Sequence, residues 1–419
     1  MKARHSPLRL KSFVERRTYL RAVLLLAIMI LPIAAFPIGL RIPNQDAEAI
    51  ARGNAFAATA DNPAAIYYNP AGITQLPGQN IQVGVLNYLG INTHYQPPSG
   101  AAADTKFEVL PIPQVYYTFS PTNIPFSFGL GLYAPFGLGV NWQQNSSFRS
   151  LAIESKLQFI TFNPVVAWRI HPKLSLGIGP TFNYSKIMFH RGLMTATDNL
   201  RFEGDDYSFG FTAGLLWQPH PKWSIGANYR SATTMDYSGT TTYNPGGGAA
   251  SAKTTASIPF PQIVAGGISY RPTPQWNIEA DVDWSDWSTV NTVMLNGTKN
   301  IFGVNLPFQL NWHDSWFYEF GVTRYFDNGW YASAGYFYCT DTTSAKYFTP
   351  LIPDSNLHVG SLGFGHKSKR WQWSLAGQII AGPERTIDNS QPNPFTGQSA
   401  NGKYQLFIPT VSFAVGYHF

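Results

Sequence analysis

Three carboxylates alternate along one short segment and are the strongest candidates for acid–base chemistry. Glu279, Asp281 and Asp283 are spaced two residues apart, so on a β-strand their side chains would lie on one face. Together with Glu319 they could supply the paired carboxylates of a general acid–base catalyst. Alternatively, cations such as Arg169 neutralise these carboxylates in a structural role, and we favour that interpretation.

The other reactive side chains form no recognisable catalytic or metal-binding motif. The nine histidines are scattered, without the His-x-x-x-His spacing of zinc sites, and there is no Gly-x-Ser-x-Gly motif or phosphate-binding glycine loop. The single cysteine, Cys339, excludes an intrachain disulfide and a multi-cysteine metal site. We therefore predict no catalytic residues, no metal and no cofactor. A Ser-His-acid group assembled only in space stays open as a lipase or acylase alternative.

The composition indicates a membrane protein rather than a soluble enzyme. Only 12% of the 419 residues are charged and 15% are aromatic, whereas about a quarter of the residues in a soluble domain are charged. Beyond the N-terminal region, no segment reaches the roughly 18 uninterrupted apolar residues of a membrane helix. Because every backbone polar group must be paired within a bilayer, a closed β-barrel is the fold class that remains.

The first 35 residues have the pattern of an export signal. A basic stretch that ends at Arg21 precedes an apolar run from Ala22 to Ile33, and Ala34 and Ala35 offer a small-residue cleavage site. The apolar run is too short to span a bilayer. Removing this segment takes seven basic residues and one acidic residue from totals of 29 and 23 and leaves 22 of each. Without a net positive charge, a nucleic-acid partner is not expected.

Alternation of apolar with small or polar residues predicts strands along the rest of the chain. In residues 126–133, four apolar side chains alternate with serine, glycine and tyrosine. Fourteen such strands are predicted, near residues 80–88, 112–119, 126–133, 157–170, 173–187, 206–218, 222–231, 262–271, 275–287, 314–325, 329–339, 356–367, 370–380 and 404–419. Tight turns alternate with long links, the longest over residues 232–261. This asymmetry and the even strand number are typical of a Gram-negative outer-membrane barrel with both termini in the periplasm.

Residues 36–79 lack this alternation and are rich in alanine, asparagine and glycine. A periplasmic tail is one interpretation. A fourteen-stranded barrel, however, encloses a lumen too wide for its own side chains to fill, so we favour a segment that plugs the barrel. The predicted organisation is a signal over residues 1–35, an N-terminal plug over 36–79 and a transmembrane barrel over 80–419.

Several motifs resemble those of the FadL/TodX family of outer-membrane channels for hydrophobic compounds. They are Asn69-Pro70-Ala71, Tyr229-Arg230-Ser231, Trp284-Ser285-Asp286-Trp287-Ser288, Ile352-Pro353-Asp354 and the terminal Phe419. The resemblance extends over essentially all of the chain after the signal. It implies a fourteen-stranded antiparallel barrel, an N-terminal hatch that fills the lumen, and a third strand whose kink opens the wall toward the membrane.

Some residues match the motifs of the family directly, and others do so only in part. Asn69, Pro70 and Ala71 match the hatch motif, and we expect them to form a turn that anchors the hatch. The third strand contains Phe128-Gly129-Leu130-Gly131, where the glycines would either mark the lateral opening or clear space for the hatch. The residues that would hold a carboxylate head group do not align with the family; Arg230, inward by alternation in a matching triplet, is the one inward cation that we name, and pairing with the acidic residues of the lumen is its alternative role.

The resemblance implies uptake of hydrophobic molecules, with long-chain fatty acids as the favoured substrates. Apolar residues of the link 288–313, such as Leu295 and Phe308, would form an external binding surface or pack on one another. The expected partners are the hydrophobic ligand, outer-membrane lipids, and the barrel-assembly machinery through the C-terminal strand that ends in Phe419. The alternatives are uptake of aromatic hydrocarbons and a diffusion porin for small hydrophilic solutes.

Overall fold

The computed structural model describes residues 40–195 and 197–419. The expected signal over residues 1–35 and the first residues of the expected plug lie outside the described residues. Within the described part of the chain, no helix has the length and apolar character needed to cross a bilayer.

An N-terminal segment (residues 40–76) precedes the barrel wall and lies inside it. It contains helices α1 (Ala47–Ala51) and α2 (Ala65–Tyr68) and a 3₁₀ helix (Pro70–Gln75). Every residue from 40 to 74 is buried except Asp61. Its hydrogen bonds reach wall residues far apart in sequence, among them Tyr116, Leu215, Glu279 and Lys367.

Fourteen antiparallel strands form the wall of a closed barrel. Their bounds are β1 Gly78–Leu89, β2 Val109–Ser120, β3 Phe126–Tyr133, β4 Glu154–His171, β5 Leu174–Arg191, β6 Asn199–His220, β7 Trp223–Arg230, β8 Ile263–Tyr270, β9 Trp276–Ser285, β10 Ser315–Tyr325, β11 Trp330–Cys339, β12 Leu357–Lys367, β13 Trp371–Ala381 and β14 Gly402–His418. Consecutive strands pair, and β14 closes the barrel on β1, with Asn80 opposite His418 and Tyr88 opposite Thr410. The predicted fold class is confirmed.

Side-chain alternation along the strands separates an apolar outer surface from a polar inner one. On β3, Phe128 and Leu130 are 42% and 45% exposed, whereas the alternating Ser127 is 4% exposed. Outward apolar residues recur on the other wall strands, including Trp168 and Ile268. An apolar band around a barrel is the surface that lipid covers, so the composition of each strand follows from its two environments.

Several strands continue beyond the wall on the side of the long links, here called the loop end. The link 232–261, expected as a loop, is a hairpin of strands Thr233–Asn244 and Ala250–Phe260. Its exposed face carries threonine, serine and aspartate, so it lacks the apolar alternation of lipid-facing strands. The other short strands are Asn92–Gln96, Ala103–Asp104, Gly137–Asn141, Thr292–Leu295, Leu306–Gln309 and Arg385–Ile387, and the remaining helices are α3 (Lys299–Phe302) and two 3₁₀ helices, Trp287–Thr289 and Ala345–Tyr347.

An apolar cluster fills the loop end of the barrel interior. Phe136 lies at its centre, with ring centroids 4.9 Å from Phe260, 5.1 Å from Phe159 and 5.9 Å from Trp287. The cluster extends from loop residues such as Leu295 to Leu40 of the N-terminal segment. The interior is thus apolar toward the long loops and polar where the N-terminal segment meets the wall.

Candidate functional site

The hydrogen-bond ladder of the wall is interrupted between β2 and β3. The two strands pair from Val115 opposite Leu132 to Phe119 opposite Phe128. Beyond a break at residues 134–136, the strand Gly137–Asn141 continues along β4 and no longer pairs with β2. Within the described residues, the section of β2 over residues 109–114 pairs only with β1. A gap in the ladder therefore separates this section of β2 from residues 134–139.

The start of the N-terminal segment pairs with the break itself. The N–H of Ile42 donates to the carbonyl of Pro135 and the N–H of Gly137 donates to the carbonyl of Leu40, both at 2.8 Å. Backbone groups that leave the wall ladder are therefore satisfied from inside the barrel, as buried polar groups require.

Prolines accompany the gap on both of its sides. Pro111 and Pro113 lie on β2 and Pro135 lies in the break. Proline cannot donate to a ladder and is found in strands mainly at edges or bulges. The local sequence therefore favours an unpaired edge at this place in the wall.

The four residues expected at the opening lie beside the gap rather than in it. Phe128-Gly129-Leu130-Gly131 is paired with β2 on one side and β4 on the other. A Cβ atom at Gly129 or Gly131 would lie 2.9 Å or 2.8 Å from side-chain atoms of Ile66 in α2. These glycines make room for the N-terminal segment. The break itself contains Pro135, and residues 40–42 pair with it from inside the barrel.

Asn69, Pro70 and Ala71 form the capped start of the 3₁₀ helix. The Asn69 side chain accepts a hydrogen bond from the N–H of Ala71 at 3.2 Å, which is the usual N-cap arrangement. Its amide also donates to the carbonyls of Ala57 at 2.7 Å and Leu215 at 2.9 Å. One side chain thus joins two parts of the N-terminal segment to β6.

Two of the alternating carboxylates hold the backbone of the N-terminal segment. Glu279 Oε1 accepts hydrogen bonds from the N–H groups of residues 58 and 59 at 2.7 and 3.1 Å. Asp281 Oδ2 accepts from those of residues 56 and 57, both at 2.8 Å. The Arg52 guanidinium donates to Glu279 Oε2 at 2.9 Å. Both carboxylates therefore accept hydrogen bonds that hold the N-terminal segment in place. The structural role accounts for these contacts, and the acid–base alternative does not.

The remaining predicted lumen residues surround a small polar cavity. Asp283 forms an ion pair with Arg41, and Arg230 donates to the Tyr133 hydroxyl at 2.9 Å. Glu319 lines the same cavity. Arg169, expected to pair with lumen acids, instead donates to the carbonyl of Thr74.

Most of the charged groups of this cavity already have partners within the protein. Arg41 and Asp283 form an ion pair, Asp281 accepts hydrogen bonds from the N-terminal segment, and Arg230 donates to the Tyr133 hydroxyl. The cavity is better suited to holding the N-terminal segment than to holding an acidic head group.

A second pocket, apolar except for one cation, lies at the loop end. Arg191 is the last residue of β5, beyond the lipid-facing part of the strand, and the structure gives it no carboxylate partner among the described residues. Its guanidinium carbon lies 5.9 Å from the ring centroid of Phe308, and burial lowers its pKa to about 10. The apolar lining consists of Phe189, Leu200, Phe202, Val293, Leu295, Phe308 and Leu351.

The chemistry of this pocket matches an amphiphile with a negative head, and its free volume of about 20 Å³ means that the lining side chains must move apart before an alkyl chain enters. A guanidinium stays charged at neutral pH, and a charge among apolar groups is costly unless it is paired. A carboxylate would supply the missing partner through bidentate hydrogen bonds, and an alkyl chain would lie against the apolar lining.

Sequence analysis did not identify Arg191 or Arg41 as functional candidates. Arg191 is the last residue of a strand in which polar and apolar residues alternate, so the sequence already shows a positive charge at the end of that strand. Its lack of an acidic partner is a tertiary property that the sequence does not reveal. Leu295 and Phe308, expected as external apolar residues, lie in this pocket.

A family model and a curated relative both match this chain over most of its length. The family model described as outer membrane protein transport protein (OMPP1/FadL/TodX) matches residues 29–377. The long-chain fatty acid transport protein of Escherichia coli O6:H1 is 21% identical over 393 residues, which cover 82% of this chain and 86% of that protein.

Solved structures share the fold. A FadL homologue of Pseudomonas aeruginosa superposes with a TM-score of 0.81 at 18% identity, covering 91% of this chain and all of that one (100%). The Ralstonia pickettii toluene transporter TbuX superposes with a TM-score of 0.68 at 18% identity, covering 90% and 100%. Because the family model matches well over half of its length, the chain belongs to the OMPP1/FadL/TodX family of outer membrane transport proteins.

Proposed function

We propose that this outer-membrane transport protein takes up long-chain fatty acids. The observation that carries the proposal is the apolar pocket at the loop end with Arg191, which has no carboxylate partner among the described residues. An aliphatic chain with one carboxylate matches both parts of that pocket, whereas a hydrocarbon would leave the cation unpaired. The relatives named above include a fatty acid transporter and a toluene transporter, so the substrate class has to be argued from this site.

A continuous apolar route supports transport from this pocket to the gap in the wall. Leu200, Phe202 and Leu295 belong both to the pocket lining and to the apolar cluster of the loop end. The same cluster includes Phe136 and Leu138, which flank the gap between β2 and β3. A ligand that moves along this cluster exchanges one apolar contact for another and leaves through the wall into the membrane.

The N-terminal segment acts as the plug in this proposal, with the short turns and both termini on the periplasmic side. Its buried residues are joined to the wall through Arg52, Asn69 and Glu48. A lumen filled in this way does not favour the porin alternative, because a diffusion porin leaves a water-filled channel.

Binding of oleate and of methyl oleate to purified Arg191→Gln protein tests the proposal. Loss of a charged hydrogen-bond partner costs about 1.5–3 kcal/mol, so oleate should bind roughly ten- to hundredfold more weakly. Methyl oleate, which lacks the carboxylate, should bind wild type and variant alike. Arg201→Gln is the matched control, because Arg201 is exposed and already paired with Glu203 at 3.2 Å.

Two results would redirect the proposal. Equal oleate affinity in the Arg191→Gln and Arg201→Gln variants would contradict a head-group role for Arg191. Tight binding of toluene together with weak, Arg191-independent binding of oleate would favour the aromatic hydrocarbon alternative, since the apolar lining alone would then determine affinity.

A further inference from the structure

Basic side chains are concentrated at the end of the barrel that carries the short turns. The six short turns and the residues flanking them contain eight Lys and Arg but only one acidic side chain, Asp327. The basic residues are Arg169, Lys173, Lys222, Arg271, Arg324, Lys367, Lys369 and Arg370. Because residues 36–419 contain equal numbers of basic and acidic residues, this end carries a positive excess that the rest of the chain balances.

Only part of this charge is used inside the protein. Arg271 pairs with Asp61 at 3.1 Å, and Lys367 pairs with Glu48 at 2.7 Å. Lys222 is exposed and has no carboxylate partner in the described part of the chain. Internal ion pairs therefore do not account for the whole positive excess.

A cleft of about 270 Å³ opens between three consecutive short turns. Lys173, Lys222 and Arg271 each come from a different turn and line it. Lys173 donates to the carbonyl of Pro219 at 2.7 Å, which places its ammonium group at the turn. The hydroxyl groups that line its inner end, those of Thr59, Ser224 and Ser269, donate to groups of the protein itself. Cations from three turns in one cleft form a binding environment for a phosphate group.

The cleft adjoins the lipid-facing surface of the wall. Trp223 lines the cleft, is 40% exposed, and stacks on Tyr270 with ring centroids 4.3 Å apart. Leu215 and Ile268 continue the exposed apolar surface on the neighbouring strands, at 36% and 44% exposure. Tryptophan is enriched where a barrel wall meets lipid head groups, so the cleft lies at head-group depth.

We propose that the cleft between Lys173, Lys222 and Arg271 binds the phosphate head group of an anionic phospholipid of the phosphatidylglycerol class. The inference rests on the orientation proposed above, which places the short turns at the periplasmic leaflet. The acyl chains would lie along the wall at Leu215 and Ile268. Phosphatidylethanolamine binds less well, because its ammonium group faces these cations. A soluble protein partner is disfavoured, since the cleft borders the lipid-facing wall.

Native mass spectrometry of the delipidated full-length mature protein tests this inference. The protein is given equal amounts of phosphatidylglycerol and phosphatidylethanolamine with identical acyl chains. Wild type should retain phosphatidylglycerol preferentially. The Lys173→Gln/Lys222→Gln variant should lose this preference by about fivefold or more, since each cation near a membrane surface contributes about 1 kcal/mol. Lys299→Gln/Lys346→Gln, with the same charge change at the loop end, should retain it.

Three outcomes would overturn the inference. One is equal retention of the two lipids by wild type, and another is an unchanged preference in the Lys173→Gln/Lys222→Gln variant. The third is displacement of phosphatidylglycerol by equimolar glycerol phosphate, which would identify a site for soluble phosphate instead. Oleate binding by the same variant should equal that of wild type, so a failure here is distinguishable from a failure of the proposed function.

Discussion

Individual buried side chains determine how firmly the N-terminal segment is held in the lumen. Arg52 bonds to Glu279, Glu48 bonds to Lys367, and Asn69 bonds to a wall carbonyl. Each contact replaces hydrogen bonds to water that were lost on burial. Removing one partner therefore leaves a buried polar group unsatisfied, and this costs more than the net gain from the contact itself.

Asn69→Ala should loosen the N-terminal segment. The substitution removes the donors to the carbonyls of Ala57 and Leu215 and the N-cap of the 3₁₀ helix, at about 1–3 kcal/mol for each buried group left unpaired. Trypsin should then cleave at Arg52 at least about tenfold faster, since proteolysis follows the open population. Asn80→Ala is the control, because the Asn80 side chain contacts Pro77, Thr118 and His418 and no residue of the N-terminal segment. Equal cleavage of the two variants would contradict the anchoring role of Asn69.

Asp46 should make docking of the N-terminal segment pH-dependent. Its side chain accepts hydrogen bonds from the Ala49 N–H at 3.1 Å and from Asn62 at 2.8 Å, but burial and then the charge of Glu48 raise its pKa from 3.8 to about 6. The docked state therefore binds more protons than the undocked state between these values. Docking is strongest at low pH and weakens as the pH rises through about 6.

Protease protection of the N-terminal segment at pH 5 and pH 7.5 measures this effect. Asp46→Asn, which stays neutral, should reduce the difference between the two pH values. Glu48 and Lys367 also face this region and are unchanged in the variant, so the comparison isolates Asp46. The exposed Asp104→Asn variant should behave as wild type. An unchanged pH difference in Asp46→Asn would refute the assignment.

At the scale of elements, the third strand combines a regular half with a break. Residues 128–132 pair on both sides, whereas residues 134–136 turn inward to meet the N-terminal segment. Ala134 is 8% exposed and exchanges hydrogen bonds with the Gln45 side chain. The gap in the wall and the start of the N-terminal segment are therefore one structural unit.

Ala134→Trp should obstruct transport through this gap. The indole side chain would lie in the path of a ligand that leaves through the gap, so oleate uptake by cells should fall. Ala332→Trp, on the exposed face of β11, is the matched control for assembly and should transport normally. Wild-type uptake by correctly assembled Ala134→Trp protein would show that the ligand leaves elsewhere.

The sequence predicted the elements better than their interruptions. All fourteen wall strands were visible because lipid on one side and a polar lumen on the other impose alternation. The hairpin of residues 233–260 was missed because polar residues dominate its exposed face. Gly129 and Gly131 were expected either to mark the opening or to clear space for the hatch, and Pro135 was the better local signal for a break. The partners of Leu40 and Arg41 could not be predicted, since they lie about a hundred or more residues away.

Across the whole molecule, the interior divides by chemistry. The loop end is apolar from Leu295 to Phe136, and the region of the N-terminal segment is held by ion pairs such as those of Arg41 and Arg52. An apolar ligand is favoured in the first region and excluded from the second by the cost of displacing paired charges. The route that we propose, from the loop end into the membrane, therefore follows the distribution of polarity.

Accumulation of labelled oleate, toluene and a small sugar tests the central claim most directly. The measurement compares cells that lack their own channel of this class with the same cells producing this protein. The proposed function predicts faster oleate entry without faster sugar entry, and a smaller effect on toluene. Faster sugar entry with unchanged oleate entry would contradict uptake of hydrophobic molecules and would favour the diffusion porin.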